Sequence, residues 1–131
     1  MIDEKLRKEL ETLRCTVSPC GSRVTCDPQP EHSDWDYLVY APTEAAVSSL
    51  VTNILPGAGL NWESDEHYQG VAATGFMSWR KDNVNLIVTS NAGFAAKHRV
   101  ATALCKRLNL MDKQDRIALF QAVLYSKEWK S

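Results

Sequence analysis

Hydrophobic and polar positions follow two different periods along this chain, and the pattern predicts a mixture of helices and strands. Apolar residues recur at helical spacing among charged ones over residues 2–14, which predicts an amphipathic N-terminal helix. Short apolar runs at 15–20 and 35–40 predict the first two strands. The chain therefore opens with a helix followed by two strands.

Helical spacing returns in three later segments. The first begins at Thr43 and Glu44 and is expected to end at Pro56, because Pro and the following Gly stop a helix. The second covers 92–109. The third follows Asp112, whose short carboxylate is a good N-cap.

Two further apolar runs, 76–80 and 84–89, are separated by turn-forming residues and predict a hairpin. Residues 59–75 have a weak pattern, and we expect a loop with room for one short strand. That loop carries a cluster of acidic and histidine residues: Glu63, Asp65, Glu66 and His67. Such residues are usually solvated, and the alternative is a metal site. The elements together predict an α/β chain of the α+β type, with a small mixed sheet and flanking helices.

Composition narrows the class of protein. The 131 residues are 44% hydrophobic and 24% charged, which suits a single domain over residues 1–131. A net charge of -1 argues against a general basic field, so tight non-specific binding to nucleic acid is not expected. No apolar run is long enough to span a membrane and the N-terminus is too charged for a signal peptide, so we expect a cytoplasmic location. The four cysteines form no Cys-x-x-Cys pair, which favours reduced thiols over a zinc site.

Candidate chemistry is concentrated between the first two strands. Gly21 and Ser22 follow the first strand, where a flexible turn can direct backbone N–H groups and a hydroxyl at a phosphate. Asp34 and Asp36 open the second strand and project from one face, with Cβ atoms expected roughly 6–7 Å apart. Two carboxylates at that spacing suit a Mg²⁺ ion completed by substrate phosphates. Each fragment alone is common, and a solvated strand edge is the simpler explanation of either.

The two fragments together, in this order and spacing, resemble the signature of the nucleotidyltransferase superfamily that includes DNA polymerase beta. The resemblance implies Mg²⁺ or Mn²⁺ held by Asp34 and Asp36, with a nucleoside triphosphate (NTP) as ligand. It also implies that Gly21 and Ser22 position the outer phosphates and that Arg23 stabilises their charge. An active member would transfer a nucleoside monophosphate to a hydroxyl acceptor, which could be a protein, an RNA or a small molecule.

The second half of the chain is similar to small nucleotidyltransferase-like proteins, many of them encoded by bacteriophages. The similarity lies in the run from Asn85 to Thr89, in Lys97, and in the Lys113-x-x-Arg116 pattern. Lys97 or Arg99 could neutralise a triphosphate, although a solvated helix face is the simpler interpretation of both.

The chain departs from the family in two places. An Arg-Gly-x-Ala-Arg run that many members carry is missing, and Pro28 and Pro30 predict an extended loop there instead. The third carboxylate of active members corresponds here to Asn85, an amide that cannot accept the proton of the attacking hydroxyl. Asp82 is nearby, but its offset places it in the turn or on the opposite strand face. Three hypotheses therefore stand: an active transferase, a nucleotide-binding or protein-interaction module that has lost the chemistry, or a plain structural domain that binds no nucleotide.

Overall fold

The strands of the chain lie side by side in one mixed sheet. The structure is a computed structural model that describes residues 2–66 and 75–125. Its strands are β1 (Thr16–Cys20), β2 (Trp35–Tyr40), β3 (Asn61–Glu66), β4 (Phe76–Lys81) and β5 (Val84–Thr89). Within the described residues the order is β1-β2-β5-β4-β3, with β2 parallel to β5 and every other neighbouring pair antiparallel. The predicted α+β class, with a small mixed sheet and flanking helices, is confirmed.

Four of the described helices begin at a polar side chain that caps their first turn. They are α1 (Glu4–Thr12), α2 (Ser22–Thr25), α3 (Glu44–Ser49), α4 (Leu55–Gly57), α5 (Ala92–Leu108) and α6 (Lys113–Leu124). The side chains of Thr43 and Asp112 accept hydrogen bonds from the first turns of α3 and α6, which confirms both predicted helix starts. A π-helical stretch, Leu50–Ile54, joins α3 to α4.

The two faces of the sheet bury different helices, because alternate residues of a strand point to opposite sides. Tyr37 and Val39 of β2 join the larger core, which also takes in α1 and α3. Leu38 of β2 joins a smaller core with Phe94 of α5, and Ile87 of β5 packs against it. The even-numbered residues of β2 therefore share a face with α5, and this is the face that carries Asp36.

Two local features differ from the sequence expectations. The loop expected around Pro28 is preceded by the short helix α2, which starts directly after Gly21. The π-helical stretch was not predicted. The weakly patterned stretch after Gly59 contains the short strand for which the sequence left room, β3. His67, from the acidic and histidine cluster, lies outside the described residues, as do the side chains of Asp65 and Glu66. No helix in the described ranges is long and apolar enough to cross a membrane.

Candidate functional site

The strand register aligns four residues in a row across the sheet. Cys20 of β1 pairs with Asp36 of β2, Asp36 pairs with Asn85 of β5, and Asn85 pairs with Arg80 of β4. The Ser78 hydroxyl donates to Asn85 Oδ1 at 2.9 Å. Asn85 also forms a hydrogen bond with the Asp36 carboxylate. Because an ionised carboxylate can only accept, the donor in this bond is the amide nitrogen of Asn85. Asn85, the residue expected at a third-carboxylate position, is thus next to Asp36, but it supplies a hydrogen-bond donor there.

Gly21 leaves room for the Asp36 carboxylate. Its φ of +76° lies in the left-handed region, which favours glycine. A Cβ at this position would overlap Asp36 Oδ2 and would lie 2.9 Å from Asp36 Cγ. The glycine of the Gly-Ser pair and the second aspartate of the Asp-x-Asp pair are therefore linked by direct packing.

Desolvation raises the pKa of both Asp36 and Cys20. The pKa of Asp36 is raised mainly by desolvation, opposed by the hydrogen bond from Asn85. The charge of Asp34 raises the same pKa further, whereas that of Arg80 lowers it. Burial, with a smaller effect of Asp36, raises the pKa of the Cys20 thiol to about 12. Cys20 is consequently a neutral thiol at physiological pH and a poor nucleophile.

Asp34 forms an ion pair with Arg80. Arg80 Nη1 is 2.6 Å from Asp34 Oδ2, and Arg80 Nε is 3.1 Å from Glu63 Oε1. All three side chains are partly exposed, so each ion pair contributes only about 0–1 kcal/mol to folding. A metal ion at Asp34 would therefore share this carboxylate with Arg80 or displace it.

A cavity of about 560 Å³ opens beside the carboxylates, a size usual for small-molecule sites. Its polar end is lined by Gly21, Ser22, Ser33, Asp34 and Asp36. Its other end is mainly apolar and is lined by Phe76, Ile87, Phe94, His98, Ile117, Phe120 and Leu124. Lys113, Arg116 and Gln121 of α6 also line it. One cavity therefore joins a polar end to an aromatic end.

The wall formed by α6 is held through Arg116. Arg116 Nη1 donates to the carbonyl oxygens of Leu110 at 3.0 Å and Met111 at 2.8 Å, and it lies 3.2 Å from Cys26 Sγ. Asn109 and Asp27 exchange two hydrogen bonds at 3.0 and 3.2 Å. These contacts tie the loop after α2 to the connection between α5 and α6.

Two of the predicted phosphate-binding residues lie away from the cavity. Arg23 Nε donates to the Ser33 carbonyl at 2.9 Å, and its guanidinium lies 4.1 Å from the centre of the Trp35 ring. It fixes the segment that leads into β2 and is not part of the cavity lining. Lys97 is exposed on α5 and does not line the cavity either, whereas Lys113 does.

The aromatic end was not anticipated from the sequence. Phe76 and Phe94 have ring centres 5.5 Å apart, Phe94 and His98 are 5.9 Å apart, and His98 and Phe120 are 5.0 Å apart. These rings come from β4, α5 and α6. In the sequence, only the helical spacing of Phe94 and His98 indicated that these two residues share the buried side of α5. That spacing does not show which residues of other elements contact them.

The oxygen donors of the polar end suit a small hard cation. Within the described parts of the chain, no three His, Cys, Asp or Glu side chains are grouped so that they could hold a metal ion. Asp34 and Asp36 alone would supply two carboxylates, and the remaining positions around Mg²⁺ would be left to phosphate oxygens and water. The residues therefore fit one magnesium ion that arrives with a phosphate ligand, rather than a closed protein cage.

No family model matches the chain, and no curated protein matches it. A function for this chain therefore has to be inferred from the geometry of the cavity.

Proposed function

We propose that this chain is a nucleotidyltransferase-fold protein that binds a nucleoside triphosphate together with Mg²⁺ in the 560 Å³ cavity. The observation that carries the proposal is the packing of Asp36 between Gly21 and Asn85. A partly buried carboxylate with a raised pKa is costly to keep charged, and such groups are concentrated at binding and catalytic sites. A cation shared with a bound ligand would offset that cost.

The polar end of the cavity offers three kinds of group for binding: carboxylates, a hydroxyl and a lysine. Asp34 and Asp36 would hold the Mg²⁺ ion, which when bound neutralises and orients the phosphates. Ser22 offers a hydroxyl donor to the outer phosphates, and Lys113 offers a positive charge from α6. In this proposal Lys113 has the phosphate-binding role that the sequence suggested for Lys97.

Asn85 favours binding over transfer. Its amide nitrogen donates to Asp36 and its oxygen accepts from Ser78, so the side chain is held in one orientation. An amide cannot accept a proton from a hydroxyl acceptor. We therefore infer a nucleotide-binding or sensing role, with nucleotidyl transfer as the second candidate because the two aspartates share a strand face. A cytoplasmic location is part of the same proposal.

Calorimetric titration with the four NTPs, each with Mg²⁺, tests binding directly. We expect Asp36→Asn to weaken binding at least tenfold, because it removes a full charge from the metal position. Lys113→Gln should weaken triphosphate binding roughly fivefold, the size expected for a charge pair formed by an exposed lysine. Lys97→Gln is the matched control on α5 and should change the affinity less than twofold. Failure of the wild-type protein to bind any NTP would end the proposal.

The substitution Asn85→Asp separates binding from transfer. It is nearly isosteric, keeps the acceptor for Ser78 and restores a third carboxylate. Radiolabel transfer from each NTP should be absent in wild type and gained in Asn85→Asp, since a positioned base typically contributes about 10² to 10⁴ in rate. Robust transfer by the wild-type protein would instead establish the enzyme, and the sensor hypothesis would be wrong.

A further inference from the structure

The aromatic end of the cavity contains a polar side chain that the fold leaves unsatisfied. His98 is 5% exposed and lines the cavity, and its Nδ1 has no hydrogen-bond partner within the described part of the protein. Buried polar groups are nearly always hydrogen-bonded, and an exception calls for an explanation. A ligand that supplies the missing partner is one such explanation.

The surroundings of His98 specify the shape of that ligand. Phe94 lies on one side of the imidazole and Phe120 meets it in a T-shaped arrangement, with Phe76 next to Phe94. Ile87 and Leu124 complete the apolar lining. A flat, ring-shaped group fits this environment, because aromatic walls stack on flat faces and offer few polar contacts.

The protonation state of His98 specifies the polar edge of the ligand. Burial and the nearby charge of Arg99 lower its pKa to about 4, so the ring is neutral at pH 7. A neutral imidazole carries one donor and one acceptor. An aliphatic group would leave the Nδ1 atom without a partner, whereas the edge of a nucleobase carries donors and acceptors of its own.

We propose that the aromatic end of this cavity is a nucleobase site in which the base stacks on Phe94 and Phe120 and forms a hydrogen bond with the His98 imidazole. The inference rests on the proposed function, since the same cavity places this end next to Asp34, Asp36 and Lys113. The triphosphate and the base of one nucleotide would then occupy the two ends. His98 is a base-binding residue in this arrangement and takes no part in phosphate binding.

The test compares ligands with and without a base. Calorimetry with magnesium tripolyphosphate, which has no base, is run beside MgATP, MgGTP, MgCTP and MgUTP. We expect the best NTP to bind about 10- to 100-fold more tightly than tripolyphosphate, the range expected for stacking of one base. His98→Phe keeps a ring and removes both polar atoms, and it should weaken binding of that NTP about tenfold while leaving tripolyphosphate binding unchanged. His98→Gln keeps a donor and an acceptor and should recover part of the loss.

The outcomes distinguish this inference from the function on which it rests. If neither tripolyphosphate nor any NTP binds to wild type, the proposed function itself fails. If tripolyphosphate and all four NTPs bind equally well, phosphate binding stands and the base site is wrong. If an NTP binds more tightly than tripolyphosphate but His98→Phe does not weaken it, the base lies elsewhere.

A measurement on the wild-type protein covers the case in which His98 variants do not fold. The chain has three histidines, so the ring ¹⁵N signals of His98 can be resolved in a protein labelled at histidine. Addition of the tightest MgNTP should shift these signals, and addition of magnesium tripolyphosphate should not. Equal shifts with both ligands, or none with the NTP, would overturn the inference.

Discussion

The two ends of the cavity differ in how their polar groups are satisfied. At the polar end, Asp36 accepts a hydrogen bond from Asn85, Asn85 accepts one from Ser78, and Asp34 is paired with Arg80. At the aromatic end, the Nδ1 atom of His98 has no partner among the described residues. One end is completed by the protein itself, whereas the other keeps a buried polar atom without a partner among the described residues.

The difference follows from the kind of structure that forms each end. Strand pairing fixes Asp36, Asn85 and Arg80 in one row, so each side chain has a defined neighbour. Phe94 and His98 meet through their spacing on α5, whereas Phe120 reaches them only because α6 packs against α5. None of the residues of α6 is buried, so this wall is the less firmly held part of the site. A site with one rigid end and one adaptable end suits a ligand with a charged part and a flat part.

The largest effect is expected at the polar end, from Gly21→Ala. A residue with a Cβ is strained at a φ of +76°, and the added atom would also collide with the Asp36 carboxylate. We expect a loss of roughly 3–4 kcal/mol in the free energy of unfolding, measured by urea denaturation. The matched control is Gly57→Ala, where an added Cβ meets nothing within 4 Å. It should change stability by less than about 1 kcal/mol. Similar losses in the two variants would mean that Gly21 is not constrained by Asp36.

The next effect probes the aromatic end through pH. The pKa of His98 is about 4 in the folded protein against an ordinary value of 6.5, so the unfolded chain binds more protons between these values. The contribution of His98 is therefore constant above pH 6.5, falls as the pH drops towards 4, and changes little below that. The loss should reach about 3 kcal/mol between pH 7 and pH 4.

The control for this pH dependence is His98→Phe, which keeps the carboxylates and removes the titrating ring. The difference in unfolding free energy between the two proteins, measured by urea denaturation at several pH values, isolates the contribution of His98. Parallel profiles for wild type and variant would show that the imidazole is accessible to protons in the folded state, and the description of this end as desolvated would be wrong.

The same contrast explains how much could be predicted from the sequence. Strand periodicity and hydrophobic runs are local, so the turn at Gly21 and the shared face of Asp34 and Asp36 could be predicted from the sequence, whereas Asn85 was a candidate only through the resemblance to the nucleotidyltransferase superfamily. Thr43 and Asp112 were identified as helix starts from local patterns as well. The aromatic end depends on how two helices pack against a sheet, which no local pattern encodes. The sequence suggested Lys97 as a phosphate partner, and only the packing of α6 brings Lys113 to the cavity instead.

A smaller effect is expected from Arg116→Gln, which loosens the wall formed by α6. The guanidinium donates to two backbone carbonyls and contacts Cys26, and a glutamine is too short to keep all three contacts. We expect a loss of about 1–2 kcal/mol. Hydrogen exchange should accelerate in α6 more than in β2 and β5. Lys113→Gln on the same helix is the control, and uniform acceleration throughout the protein would mean that α6 is not a separate, weaker unit.

The smallest effect has the opposite sign and concerns Asp36→Asn in the absence of metal and nucleotide. Desolvation makes the Asp36 charge unfavourable in the folded protein, as its raised pKa indicates, and an amide of nearly the same shape removes that charge. The oxygen of the new amide can still accept the hydrogen bond from Asn85. We therefore expect the free energy of unfolding at pH 7 to rise by about 0.5–1 kcal/mol, in the range of other single stabilising substitutions. Asp82→Asn, in the exposed turn between β4 and β5, is the control and should have almost no effect.

A substitution that stabilises the protein while it abolishes binding of MgNTP would show that Asp36 is retained for its ligand and not for the fold. If Asp36→Asn destabilises the protein instead, the carboxylate has a structural role in the sheet, and the main observation behind the proposed function loses its force.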